Sequence, residues 1–144
     1  MQEEIEKHLE KALTLFTTGE HYKTLLKAKD IYFKATGVTH EEDEDFESRM
    51  NSFNDWYLFE YIEENDNKTF IEKYILQADL DELLSSTLKN VSFSIFEYAG
   101  KSFRDLHLLK DILHSKKWSL GADHNDPHFL KGDLILGRIL INEN

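Results

Sequence analysis

The sequence predicts an α+β fold in which about five helices are followed by a small antiparallel β-sheet or partly closed barrel. Before position 90, apolar residues recur at spacings of three and four, which is the period of a helix. After position 90 they alternate with polar residues, which is the period of a strand. We therefore expect a helical part in residues 1–90 and a β module in residues 91–144, packed as a single compact unit.

Residues 3–36 carry the pattern of a helical hairpin. Each of the two segments has one apolar stripe, and the glycines at positions 19 and 37 are expected to end the helices. The stripes are Ile5, Leu9, Ala12, Leu13 and Phe16 in the first segment, and Tyr22, Leu25, Leu26, Tyr32 and Phe33 in the second.

Three capping patterns predict where the next helices begin. In each, a side chain that can accept a hydrogen bond lies three residues before a glutamate. The pairs are Thr39 with Glu42, Thr69 with Glu72, and Asp79 with Glu82. The first pair precedes the broadest apolar stripe, which we expect to form the central helix of the core. The acidic residues 41–47 are then explained by the helix dipole, since they lack the glycine and spacing of a calcium loop.

Alternation predicts four strands after position 90. The first spans residues 91–98, and a turn at 99–102 is expected to lead into a second strand at 103–109. A third strand is predicted at 117–120 and the strongest, almost entirely apolar, at 134–141. Residues 121–131 contain the only proline, Pro127, and are expected to form a loop.

Composition excludes several classes of function. The net charge is −11, and residues 1–72 carry most of it, with 18 acids and 8 bases. A field of this sign disfavours binding to nucleic acid or to an anionic membrane. The absence of cysteine excludes disulfides, thiolate zinc sites and cysteine nucleophiles. Residues 1–6 lack the pattern of a signal peptide and no segment resembles a membrane span, so we expect a cytoplasmic protein.

Four segments together resemble a group of uncharacterised bacterial proteins. They are residues 53–61, 68–74, 93–98 and 131–138, and they follow one another in the order that recurs in that group. The resemblance covers residues 46–141. Some members of that group carry a cysteine-rich SEC-C zinc motif, which this chain cannot form without cysteine. The resemblance implies no activity, cofactor or metal.

The loop before the last strand contains the candidate metal ligands. Asp123, His124, Asp126 and His128 include two carboxylates and two imidazoles, which are groups that bind divalent metals. The spacing of the two histidines suits a helix, whereas Pro127 indicates an irregular loop. We therefore favour an ordinary polar loop and expect no cofactor.

Three residues are candidates for binding a partner. Trp56 and Phe59 belong to the aromatic stripe of the central helix, and aromatic side chains dominate interface hot spots, although helix-spaced aromatics usually face a core. Arg138 lies on the apolar face of the last strand, where it either pairs with an acid such as Glu97 or Asp133 or contacts a partner.

These observations favour a noncatalytic protein-interaction or adaptor protein, whose acidic helical half and apolar surfaces bind another protein. No motif identifies catalytic residues, so an enzyme is unsupported. One alternative is a small metal-binding or ligand-binding protein, or an enzyme, with a pocket between helices and sheet. Another is a nucleic-acid-associated β module that uses the basic residues of the second half. Those residues are Lys101, Arg104, Lys110, Lys116, Lys117 and Lys131.

Overall fold

The computed structural model describes residues 1–121 and 126–142. The chain divides into two compact units, one containing Met1 and Glu3–Ser85 and the other containing Gln2 and Ser86–Asn144. The first unit is helical and the second contains the β-sheet, so the predicted α+β class is confirmed.

Five α-helices precede the sheet. They are α1 (Gln2–Thr17), α2 (Tyr22–Thr36), α3 (Phe46–Phe59), α4 (Phe70–Gln77) and α5 (Glu82–Lys89), with a short 3₁₀ turn at Gly19–His21. The predicted helices on either side of Gly19 are confirmed, because α1 and α2 flank that turn. Among the described residues, no helix combines the length and the apolar character that crossing a membrane requires.

The core of the first unit is aromatic. Phe53 and Tyr57 on α3 have no exposed surface, and Tyr57 packs against Phe70 at the start of α4. The Tyr57 hydroxyl donates a hydrogen bond of 2.7 Å to the carbonyl oxygen of Phe16, in the last turn of α1. This bond satisfies a carbonyl that has no partner within its own helix, and it joins α1 to α3.

The capping pattern at Thr69 is confirmed, and the patterns at Thr39 and Asp79 are wrong. Thr69 accepts a hydrogen bond from the backbone N–H of Glu72, whose carboxylate accepts from the N–H of Thr69. The carboxylate of Asp43 instead accepts bonds from His40 N–H and from the Thr39 hydroxyl. That arrangement closes a turn, so that α3 does not begin until Phe46.

The helix predicted to be capped by Asp79 is capped two residues later, by Asp81. Asp81 accepts a hydrogen bond of 2.7 Å from the backbone N–H of Leu84, and α5 starts at Glu82. Both Asp79 and Asp81 can accept such a bond, and the capping glutamate pattern identified the wrong one.

The second unit contains an open four-stranded antiparallel sheet. Its strands are β1 (Val91–Lys101), β2 (His107–Asp111), β3 (Lys116–Ser119) and β4 (Leu134–Leu140). Their spatial order is β3-β2-β1-β4, so that β3 and β4 are the two edges within the described residues. The prediction of an antiparallel sheet is confirmed, and its four described strands do not close into a barrel.

The predicted turn at residues 99–102 is wrong. β1 continues to Lys101, which pairs with His107, and the turn occupies the residues between them. A register shift between Tyr98 and Gly100 lengthens the strand by one bulged residue. Gly100 has a φ of 87°, which a residue with a side chain rarely adopts, and this glycine therefore bends the strand instead of ending it.

Candidate interaction face of the β-sheet

The two faces of the sheet differ in exposure. One face contains the buried cluster of Phe96, Tyr98 and Leu109, on which Trp118 and Ile135 pack. The other, which we call the outer face, is assigned by strand register. Its side chains include Val91, Phe93, Ile95, Glu97, Leu108, Lys110, Ile112, Lys117, Ser119, Leu134, Leu136, Arg138 and Leu140.

An apolar row crosses the centre of the outer face. Leu136 on β4 pairs with Ile95 on β1, whose carbonyl oxygen accepts a hydrogen bond from the N–H of Ile112 just after β2. Leu136 and Ile112 are 69% and 43% exposed, and the neighbouring Leu134 is 66% exposed. Large apolar side chains lie next to one another here, whereas surface apolar residues normally occur singly.

Two lysines border this row on one side. The four strands place Leu134, Glu97, Lys110 and Lys117 side by side at this level, so that one apolar residue is followed by a negative charge and two positive charges. A groove of about 390 Å³ lies beside them. Its lining includes Ile112, three lysines and two acids, which are Lys110, Lys116, Lys117, Glu97 and Asp111. The groove therefore combines one large apolar side chain with one more positive than negative charge.

Arg138 borders the apolar row on the other side. Its guanidinium carbon lies 4.3 Å from the centroid of the Phe93 ring, directly across the β1–β4 pairing. Glu97 lies opposite Leu134, four residues from Arg138 along β4. The Asp133 carboxylate accepts a hydrogen bond from the backbone N–H of Leu130. Stacking on Phe93 keeps the charge of Arg138 beside an apolar surface.

The two aromatic candidates of α3 lie in the helical unit. The Trp56 ring packs 5.1 Å from the ring of Tyr32 and 5.3 Å from that of Tyr61, measured between centroids. Trp56 and Phe59 are both half-buried. The structure thus places Trp56 in the aromatic core cluster, with part of its surface remaining exposed.

The candidate metal loop is only partly described. Asp123 and His124 lie outside the described residues. Asp126 accepts a hydrogen bond of 2.9 Å from the backbone N–H of His128, whose φ is 57°. This contact forms a local turn, and residues 1–121 and 126–142 contain no group of three or more potential metal ligands.

The basic residues of the second half lie in two groups. Lys110, Lys116 and Lys117 lie together at the end of the β2–β3 hairpin. Lys101 and Arg104 lie at the other end of β1, where Lys101 contacts Asp105 at 3.2 Å. The side chain of Lys131 lies beside Gly100 near that same end. The six residues therefore do not form a single basic surface.

A buried polar cluster stabilises the hairpin next to the groove. Asp111 has no exposed surface and accepts hydrogen bonds from the Ser94 hydroxyl and the backbone N–H of His114. The His114 imidazole Nδ1 lies 2.9 Å from the same carboxylate. Burial alone would raise the pKa of Asp111, but the bonds from Ser94 and His114 outweigh it and lower the pKa to about 2.

A second buried pair joins β1 to β2. The Tyr98 hydroxyl oxygen lies 2.6 Å from Nδ1 of His107, and both side chains are buried. The pair satisfies two polar groups inside an otherwise apolar cluster. Neither this pair nor the Asp111 cluster was predicted, because each requires the pairing of two strands. The signal that the sequence does contain is the alternation of polar with apolar residues in β1.

The fold and this face define an α+β protein with a helical unit and an open sheet that exposes an apolar and basic surface. The chain belongs to DUF7986, a family of unknown function whose model matches residues 4–144. This membership confirms the expectation of an uncharacterised family. Searches of curated proteins and of solved structures found no match.

Proposed function

We propose that this chain is a noncatalytic protein-interaction module whose outer face binds an acidic, apolar segment of a partner protein. The observation that carries the proposal is the row formed by Leu136, Ile95 and Ile112 beside Lys110 and Lys117. Exposed contiguous apolar surface marks interaction sites, and a border with an excess of positive charge favours partners of negative charge. A cytoplasmic location and the bacterial origin that the resemblance implies are part of the same proposal.

A protein ligand suits this face better than a nucleic acid. The centre of the face is aliphatic, whereas proteins that bind single strands stack bases on several aromatic rings. Phe93 is the only aromatic side chain that the described strands place on the outer face, and Arg138 already lies over its ring. Glu97 lies among the lysines, and the net charge of −11 repels a polyanion at longer range.

The outer face is also a better candidate than the aromatic helix. Trp56 makes ring contacts on two sides within the helical unit, so much of its surface already contributes to folding. More than half of the surface of Leu134 and of Leu136 is exposed to solvent. Burying these side chains against a partner would favour binding, because it removes apolar surface from water.

Fluorescence anisotropy with labelled synthetic peptides tests the proposal. We expect a peptide of alternating Glu and Leu to bind, and peptides of alternating Lys and Leu or Glu and Ser to bind much more weakly. The variant Lys110→Glu/Lys117→Glu should lose at least about tenfold in affinity, because it replaces attraction with repulsion. The matched control Lys23→Glu/Lys34→Glu makes the same change of charge at exposed positions of α2 and should bind normally.

Amide chemical shifts locate the peptide. Binding at the outer face predicts shifts at Ile95 and Ile112 in a ¹⁵N spectrum. Shifts confined to the surroundings of Trp56 would contradict the proposed site. Tighter binding of single-stranded oligothymidylate than of the Glu–Leu peptide would instead favour the nucleic-acid alternative.

A further inference from the structure

One edge of the sheet is a nearly uncharged apolar strand. β4 pairs with β1 on one side, and within the described residues the sheet has no strand on its other side. Arg138 is the only charged residue in β4, which contains no proline and no lysine. Exposed edges are usually protected by charges, prolines or bulges, because an unprotected edge pairs with another chain.

The direction of the backbone groups follows from the bonds at the two ends of β4. Tyr98 N–H donates to the Asp133 carbonyl oxygen, and Ile141 N–H donates to the Asn90 carbonyl oxygen. Hydrogen-bonding direction alternates along an antiparallel strand, so Ile135, Gly137 and Ile139 direct their backbone groups towards β1. The other four residues of β4 direct theirs away from β1. They are Leu134, Leu136, Arg138 and Leu140.

Gly137 lies at the middle of this strand without a visible need for glycine. Its φ is not positive, and a Cβ atom added there would meet nothing within 4 Å. Glycine inside a strand lowers stability and often marks a place where another backbone approaches closely. The described residues provide no such neighbour at Gly137.

We propose that β4 pairs with β4 of a second copy of this chain, antiparallel and centred on Gly137. This register places Leu134 opposite Leu140 of the second copy and Ile135 opposite Ile139 of the second copy. It also keeps the two Arg138 side chains from lying directly opposite each other, which like charges disfavour. The result is a sheet of eight strands in which two outer faces adjoin.

Charge is compatible with this contact between copies. Residues 86–144 carry 8 bases and 7 acids, whereas residues 1–85 carry 9 bases and 21 acids. The β-sheet unit is therefore nearly neutral, and two such units do not repel each other strongly. An isologous pairing of this kind also closes after two copies and does not continue into a fibre. Pairing at the edge uses backbone groups of β4, whereas partner binding uses side chains of the outer face.

The absence of cysteine allows a direct test by disulfide formation. At the centre of the proposed pairing the two Gly137 Cα atoms would lie roughly 4.5 Å apart, within the range that a disulfide spans. We expect Gly137→Cys to form a covalent dimer under mild oxidation. Leu136→Cys, one residue away in the same strand, should not, because its Cα atoms would be more than about 7 Å apart. Leu76→Cys controls for random collisions, since Leu76 is 71% exposed on α4.

Sedimentation equilibrium of the unmodified chain provides the second measurement. We expect a mass of twice 17.0 kDa at high protein concentration. Leu136→Lys should restore the monomer mass, and Leu76→Lys should leave the dimer unchanged. A monomer at all concentrations would overturn the proposal, and so would equally rapid disulfide formation by Gly137→Cys and Leu136→Cys.

Discussion

The imidazole Nδ1 of His114 lies 2.9 Å from the carboxylate of Asp111, whose side chain has no exposed surface. The same carboxylate accepts a hydrogen bond from Ser94 on the neighbouring strand. A buried carboxylate is costly unless it is hydrogen-bonded, and here three groups surround it. Asp111 therefore connects β1, β2 and the turn that leads into β3.

This arrangement predicts a loss of stability in acid. The folded pKa of Asp111 is about 2, below its ordinary value of 3.8. The contribution of the ionised carboxylate to stability is therefore complete above pH 3.8 and is lost as the pH falls towards 2. Asp111→Asn should be less stable than the parent at neutral pH, and the difference should shrink between pH 4 and pH 2. Thermal unfolding across this pH range measures it. Asp105→Asn, an exposed control in the same unit, should show a much smaller difference.

The buried hydrogen bond of the Tyr57 hydroxyl predicts how much one such bond contributes to the stability of the helical unit. Tyr57→Phe keeps the ring packing but leaves the Phe16 carbonyl without this donor, which should lower the free energy of unfolding by about 1 to 3 kcal/mol. Urea unfolding followed by far-UV circular dichroism measures the change. Tyr22→Phe is the matched control, because Tyr22 is 55% exposed, and an equal loss in both variants would contradict the assignment.

The two threonine capping patterns predict unequal effects of the same substitution. Thr69→Ala removes a capping bond at the start of α4 and should lower the free energy of unfolding by about 1 kcal/mol. Thr39→Ala removes an exposed contact with Asp43 and should cost less than about 0.5 kcal/mol. The two urea transitions are compared under identical conditions. A larger effect at Thr39 would indicate that its capping pattern forms in solution.

The contacts of Lys73 predict that its removal changes the pKa of Glu63. Its ammonium group lies 2.9 Å from the Glu63 carboxylate and also contacts Asp66, and its hydrogen bond is the main cause that lowers the pKa of Glu63. Lys73→Met should therefore raise the pKa of Glu63, which carboxylate ¹³C shifts can follow. Lys27→Met removes a more exposed lysine that contacts Glu64 instead. That control should leave the pKa of Glu63 nearly unchanged.

Helix starts show the limit of local patterns. Thr39 and Thr69 carry the same capping sequence, but only Thr69 forms the reciprocal bonds with its glutamate. Near Thr39, Asp43 offers a competing carboxylate that accepts the available donors. Several acceptors within a few residues make the choice depend on the path of the chain, which local sequence does not specify.

Strand boundaries show the same limit. The alternation that begins at Val91 predicts the start of β1 correctly, but the sequence places the glycine at position 100 in a turn. In the structure that glycine lies inside the strand beside a bulge. A glycine with positive φ is compatible with either role, and pairing of Lys101 with His107 decided between them.

The sequence by itself determined the change from a helical to a strand period near position 90, the acidic first half and the apolar character of the last strand. The first property depends on the spacing of nearby residues, which periodicity reveals. The other two depend on composition, which a count of residues reveals. Tertiary structure alone decided that Leu136, Ile95 and Ile112 form one row beside Lys110, and that Ser94 meets Asp111. Those contacts depend on strand order and register, which long-range pairing specifies.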